Sequence, residues 1–185
     1  MKQYYFQSSL QFTSAEGVMG ISIYLLTDVT IVNEDDVDFN AEEDVGDGKA
    51  LFTIDNPDFW SEHVFPFKPG QKCRAKYDET ASDFHTSYGY YGRWREQLAQ
   101  LVSRKGAECD TEQLFTELIN FSDCEYYIGP ITSAKLAEDF SSLDSEALSY
   151  SKLPTTLHEF YKTYSTLHKL FLECAKNQQS LLTFA

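Results

Sequence analysis

The spacing of hydrophobic and polar residues changes period near residues 75–85. Before that point the chain alternates. Gln11-Phe12-Thr13 and Gly20-Ile21-Ser22-Ile23-Tyr24-Leu25-Leu26 set β-branched and aromatic residues at every second position, as a half-buried strand requires. Ser14-Ala15-Glu16-Gly17 reads as the turn between them. Val29-Thr30-Ile31-Val32 continues the second strand or forms another. Ala50-Leu51-Phe52-Thr53-Ile54 predicts a further short strand, stopped by Asp55-Asn56-Pro57. An aromatic piece from Phe59-Trp60 to Phe65-Pro66-Phe67 leads into a turn at Lys68-Pro69-Gly70.

Beyond Tyr88 the period is helical. Trp94, Leu98, Leu101 and Val102 recur at i, i+4, i+7 and i+8 and predict a helix ending near Lys105-Gly106. Leu114, Phe115 and Leu118 mark a short second helix, with Asp110 or Thr111 as its N-cap. Gly129-Pro130 opens a third, because proline is favoured where the backbone N–H has no helical partner. Its apolar stripe is Ile131, Ala134, Ala137, Phe140 and Leu143. Leu157, Phe160, Tyr164, Leu167, Phe171 and Cys174 hold one face of a fourth helix, and Thr156 and Glu159 have capping-box spacing. The pattern predicts an α+β fold: an N-terminal antiparallel β portion over residues 1–80, packed on a C-terminal bundle of about four helices over 81–185.

Composition narrows the function classes. The 185 residues include 14 Phe, 12 Tyr and 2 Trp, enough apolar surface for a real core. No apolar run reaches the roughly 20 residues of a membrane span. The start Met1-Lys2-Gln3-Tyr4-Tyr5 lacks the apolar stretch of a secretion signal. Both point to a cytoplasmic protein without a membrane partner. Cys73, Cys109, Cys124 and Cys174 are scattered, with no paired C-x-x-C spacing for zinc or redox chemistry, so no metal and no cofactor are expected. The net charge of −14 argues against nucleic acid, whose phosphates need a basic face, and favours a basic protein partner.

Much of that charge sits in one place. Glu34, Asp35, Asp36, Asp38, Glu42, Glu43, Asp44 and Asp47 follow one another with no intervening base. Asp36-Val37-Asp38-Phe39-Asn40 imitates the start of an EF-hand loop, but Ala41 stands where glycine should turn the chain and Asp47 where glutamate is expected. The run reads as a solvated loop between strands or a docking surface for a basic partner, with Phe39, Phe59 and Trp60 as aromatic anchors.

Two further segments carry chemistry. Thr86-Ser87-Tyr88-Gly89-Tyr90-Tyr91-Gly92-Arg93-Trp94-Arg95 reads as a flexible turn displaying phenols, followed by a helix with two guanidiniums. Asn120-Phe121-Ser122-Asp123-Cys124-Glu125-Tyr126-Tyr127-Ile128-Gly129-Pro130 sets two carboxylates, a thiol and two phenols in a link between helices. Asp123 and Glu125 suit acid–base work, and Cys124 suits a nucleophile if His85, His158 or His168 lies beside it. The structural alternative pairs Arg95 with Asp123 or Glu125, with Cys124 turned inward. His158 and His168 are ten residues apart, about 2.8 helical turns, so they do not form an i, i+4 metal pair.

These segments resemble a family of small uncharacterised bacterial and phage-associated proteins. The resemblance covers about residues 84–184. It rests on Ser87-Tyr88, Tyr90-Tyr91 and Arg93-Trp94-Arg95-Glu96-Gln97-Leu98, on Phe121-Ser122-Asp123-Cys124-Glu125 with Ile128-Gly129-Pro130, and on Ser133-Ala134-Lys135-Leu136-Ala137-Glu138-Asp139-Phe140. It implies a helical C-terminal module around a focal loop and no particular reaction. Tyr126 stands where the family has glycine, and the chain closes Thr183-Phe184-Ala185 without the family's final histidine. A site built on that glycine or histidine would be absent here.

The sequence therefore leads to an acidic protein-binding module of the immunity or inhibitor type, neutralising a basic toxin or effector. The alternative is a small hydrolase-like enzyme with Tyr88, Arg95, Asp123, Cys124 and Glu125 at its site. A DNA-mimic antagonist ranks below both.

Overall fold

The computed structural model describes residues 20–32, 48–56, 58–77, 84–106, 114–120 and 126–184. The expected α+β architecture is present: a six-stranded antiparallel sheet with five α-helices among the described residues. The organising strand is β1 (Gly20–Ile31), which joins the predicted strand at 20–26 to the piece at 29–32. Along one side of it run β3 (Lys72–Tyr77) and β4 (Phe84–Ser87), and along the other runs β6 (Leu181–Phe184). β2 (Lys49–Thr53) extends the sheet beyond β3, and β5 (Tyr126–Ile128) extends it beyond β6.

β1 bends midway. Thr27 pairs with Lys76 and Thr30 with Arg74, so Asp28 and Val29 together oppose one residue, a β-bulge. Asp28 takes a left-handed φ of 50°, which aspartate tolerates better than most residues, and its carboxylate meets Lys76 Nζ at 2.8 Å. The Val29 N–H is turned to the Gln179 carbonyl at 2.8 Å. Bulges increase twist and curl. Here the curl brings the outer strands together: Phe52 of β2 stacks on Tyr127 of β5 with ring centroids 5.2 Å apart, although three strands lie between them in the sheet. The Asn56 side chain completes the closure. Its Nδ2 donates to the Tyr127 carbonyl and its Oδ1 accepts the Tyr127 N–H, both at 2.9 Å, in place of a neighbouring strand.

The curled sheet carries a core on each face. The concave side holds Leu26, Val29, Ala50, Phe52, Ile54, Val64, Phe67, Cys73, Ala75, Tyr127 and Leu181. A 3₁₀ helix at Asp58–Val64 and the turn after it supply Val64 and Phe67 to that core. The convex side is covered by α1 (Tyr88–Gly106), α3 (Pro130–Ser142), α4 (Asp144–Tyr150) and α5 (Phe160–Ala175). Trp94, Phe140, Phe160, Tyr164 and Phe171 are fully buried there. Tyr164 Oη donates to the Phe140 carbonyl at 2.6 Å, tying α5 to α3. None of the described helices is long and apolar enough to cross a membrane.

Several expectations change. The Tyr88–Gly92 segment is not a turn but the first part of α1, with the Ser87 hydroxyl accepting the Tyr90 N–H at 3.2 Å. α5 begins at Phe160 rather than Leu157, and the capping box does not form. Glu159 sits at the N-cap with a φ of 70° and no side-chain cap, while the Thr156 hydroxyl donates to the Tyr150 carbonyl at 2.8 Å. α3 does open on Pro130, but Ile131 and Ala134 face outward, and the buried stripe includes Thr132, Ser133, Leu136, Ala137 and Phe140. β3, β4, β5 and β6 are strands the periodicity does not announce, and the last three lie inside the 81–185 stretch expected to form the helical bundle. The strand at Gln11–Thr13, the turn at Ser14–Gly17 and the caps Asp110 and Thr111 lie outside the described residues.

Candidate functional site

The segment that concentrates chemistry is anchored at both ends. α2 (Thr116–Asn120) delivers the chain to it, and β5 takes the chain away at Tyr126. Asp123, Cys124 and Glu125 themselves lie outside the described residues, as do Glu34, Asp35, Asp36, Asp38, Phe39, Glu42, Glu43, Asp44 and Asp47.

On the α2 side, Arg95 Nη2 donates to the Ile119 carbonyl at 2.8 Å, and its guanidinium lies 5.8 Å from the centre of the Tyr91 ring. A cation on a late helix carbonyl favours both the hydrogen bond and the local dipole. Tyr88 packs against the convex core. On the β5 side, Tyr126 stacks on its cross-strand partner Phe184, with centroids 4.3 Å apart and planes 15° from parallel. A glycine at 126 would leave Phe184 without that ring.

The far end of the link is set by Gly129. Its N–H donates to the His63 carbonyl at 2.7 Å, and a Cβ there would fall 2.5 Å from the Phe65 carbonyl oxygen and 2.7 Å from that of Val64. Only glycine permits this approach of two backbones.

Beside this frame lies a row of polar groups that sequence reasoning did not single out. Thr132, Lys135 and Asp139 follow one face of α3. Lys135 Nζ bridges Glu117 Oε2 at 2.6 Å and Asp139 Oδ2 at 2.9 Å. Asp139 also accepts the N–H of Phe115 at 2.8 Å, which holds that residue in a left-handed φ of 54° at the start of α2. Burial pushes the Asp139 carboxyl above its usual range, against the pull of Lys135 and the Phe115 N–H. His63 Nδ1 lies 3.5 Å from the Thr132 hydroxyl, and burial holds its imidazole below the usual histidine range. The i, i+4 spacing of Lys135 and Asp139 was legible; the approach of His63 and Glu117 depends on the fold.

The remaining histidines lie apart from this row. His85 on β4 lies directly opposite Ser22 on β1, with Nδ1 2.7 Å from the hydroxyl. The His158 carbonyl accepts from Tyr90 Oη at 3.3 Å, and the residue precedes α5 rather than sharing that helix with His168. His168 stacks on Phe140 and bonds Ser141 at 3.1 Å. Cys73 and Cys174 are buried free thiols whose pKa values burial raises to about 11 and about 12, so both stay protonated at neutral pH. No group of three His, Cys, Asp or Glu suited to a metal occurs among the described residues.

A concavity of about 500 Å³ lies elsewhere, between the end of α1 and α4, lined by Leu101, Arg104, Lys105, Glu146 and Tyr150 among others. Its charges are already spoken for. Lys105 pairs with Glu146 at 2.7 Å, which with the Ser145 hydroxyl draws the Glu146 carboxyl down to about 2, and Arg104 lies 4.9 Å over the Tyr150 ring. Neither Tyr88 nor Arg95 lines it. Comparison with protein-family models, with curated proteins and with solved structures returned no match.

Proposed function

We propose that this chain is an acidic protein-binding module acting in the cytoplasm, of the immunity or inhibitor type, which neutralises a basic toxin or effector. The observation that carries the reading is the charge of −14, with eight acids and no base between Glu34 and Asp47. Those residues link β1 to β2, strands that run parallel with β3 between them. The ends of the link are fixed: the Val32 N–H donates to the Lys72 carbonyl at 3.0 Å, and Lys49 pairs with Lys76. A dense negative charge carried by a folded scaffold steers a cationic partner and speeds its association.

The test is to capture the basic partner from host lysate and follow its association as salt rises. The association rate should fall at least tenfold from low to high ionic strength, and replacing the eight acids with Asn or Gln should produce the same loss at low salt. A tight complex whose association ignores both changes would sink the electrostatic reading.

A further inference from the structure

Among the described residues, two of the most exposed large hydrophobic side chains occupy one junction. Phe65 is 54% exposed and Ile131 is 50% exposed. Phe65 follows the 3₁₀ helix at Asp58–Val64, and Ile131 lies in the first turn of α3. Gly129 clamps the two elements together through the His63 hydrogen bond and its backbone approach to Val64 and Phe65. The tip is held rigidly from beneath: Val64 and Phe67, on either side of Phe65-Pro66, are both buried in the concave core. The Phe67 N–H closes the turn onto the Val64 carbonyl at 3.0 Å. The burial pattern leaves Phe65 and Pro66 both outside.

A single exposed hydrophobic residue needs no explanation, whereas an aromatic and an aliphatic side chain both exposed on two elements clamped at one backbone junction form the kind of apolar spot on which protein interfaces centre. The charges around it have a sign. Glu62 is exposed just before Phe65 on the 3₁₀ helix, and Glu138 is exposed two turns along α3 on the outward face of Ile131. Lys135 is held by Glu117 and Asp139. Against the acids stands Lys68 at the far side of the turn.

We infer that Phe65 and Ile131 are the apolar anchor on which the module seats its partner, a cationic protein surface presenting a hydrophobic side chain ringed by Lys or Arg. This rests on the protein-binding reading above and adds an address to it. The acidic 34–47 link would govern how fast the partner arrives, and the Phe65–Ile131 spot how long it stays.

The probe is a helix-forming lysine–leucine peptide, titrated into the protein by fluorescence anisotropy. Wild type should bind, Phe65→Ser should weaken binding about 30-fold and Ile131→Ser about 10-fold. Both variants should keep the wild-type melting temperature, since neither side chain is buried. The protein with its eight link acids neutralised should lose salt sensitivity but still respond to Phe65→Ser. If the peptide binds equally well to Phe65→Ser, the anchor assignment falls while the acidic-module reading stands. If the peptide does not bind wild type, the anchor also falls, and the module reading is decided by the partner capture. Self-association in sedimentation velocity that Phe65→Ser abolishes would assign the spot to a second copy of this chain and overturn the basic partner.

Discussion

The two faces of the sheet are covered by different means. On the convex face, long helices lay aromatic side chains against β1, β5 and β6, and ring meets ring through Trp94, Phe160, Tyr164, Phe140 and Phe171. On the concave face the described residues supply no α-helix, only the 3₁₀ helix at Asp58–Val64. The sheet covers itself by curling at the Asp28 bulge, and the gap is closed by one side-chain amide, one glycine and a 3₁₀ turn. The convex layer is held mainly by buried area, the concave one by backbone geometry at a few points. That contrast separates the residues whose loss opens a cavity from those whose change blocks a close approach.

Trp94→Ala should have the largest effect. Trp94 is fully buried, and its indole N–H donates to the Phe160 carbonyl at 3.2 Å, so truncation removes about 4 kcal/mol of stability. Consecutive residues of β5 and β6 face opposite cores: Tyr126 and Leu182 outward, Tyr127 and Leu181 inward. Denaturant unfolding of the variant should therefore remain one transition seen alike by tryptophan-independent circular dichroism and by exchange at β1 amides. Two separated transitions would show that the faces fold apart and would break the comparison.

The concave closure should fail through backbone contacts rather than lost area. Gly129→Ala adds one methyl against the carbonyls of Val64 and Phe65 and should cost about 3 kcal/mol, the upper end for overpacking. Asn56→Ala removes little apolar surface but strands the N–H and carbonyl of Tyr127, at about 2 kcal/mol. If chemical denaturation finds Asn56→Ala neutral, the β2–β5 closure is held by the Phe52–Tyr127 stack instead.

Acid sharpens the same contrast. His63 belongs to the concave closure and His168 to the convex layer, and burial depresses both imidazoles below their unfolded value of 6.5. The unfolded chain then binds more protons than the folded one as pH falls below 6.5, so stability declines from there until the folded groups themselves protonate. Melting temperatures of His63→Gln and His168→Gln against wild type across that window should each flatten part of the decline. A decline untouched by either substitution would place its origin in other groups.

What was readable from the chain follows the same divide. Helical periodicity marked α1 and most of α5, and alternation marked β1 and β2, because those elements bury one face and show the other. Of the described side chains, β3 buries the small Cys73 and Ala75 between exposed Arg74 and Lys76, too small a signal against lysine and arginine. β5 and β6 are three and four residues long and buried on both faces, so no alternation exists to be seen. The polar row failed differently. Lys135 and Asp139 are neighbours in the helix, but Glu117, Phe115 and His63 reach them only once α2, α3 and the 3₁₀ turn are packed. The pairing of Arg95 with Asp123 or Glu125 falls outside the described residues; among those described, its guanidinium meets the Ile119 carbonyl and the Tyr91 ring.

The smallest expected effect has the opposite sign. Tyr88-Gly89-Tyr90-Tyr91-Gly92 reads locally as a turn, because two glycines in five residues oppose a helix by about 1 kcal/mol each relative to alanine. It is nevertheless helical, since Tyr91 is 1% exposed and stacks on Trp94 with centroids 5.9 Å apart, while Ser87 caps the turn. Tertiary packing has overridden propensity, and the local penalty is still being borne. A Cβ built at Gly92 meets nothing within 4 Å, and its φ is not left-handed. Gly92→Ala should therefore stabilise the fold by about 0.5–1 kcal/mol, raising the melting temperature by about 2–3 °C. A loss of stability instead would mean that this glycine is kept for a contact in the assembled complex or for motion at the start of α1, and the convex layer would then owe its rigidity to less than its aromatic packing implies.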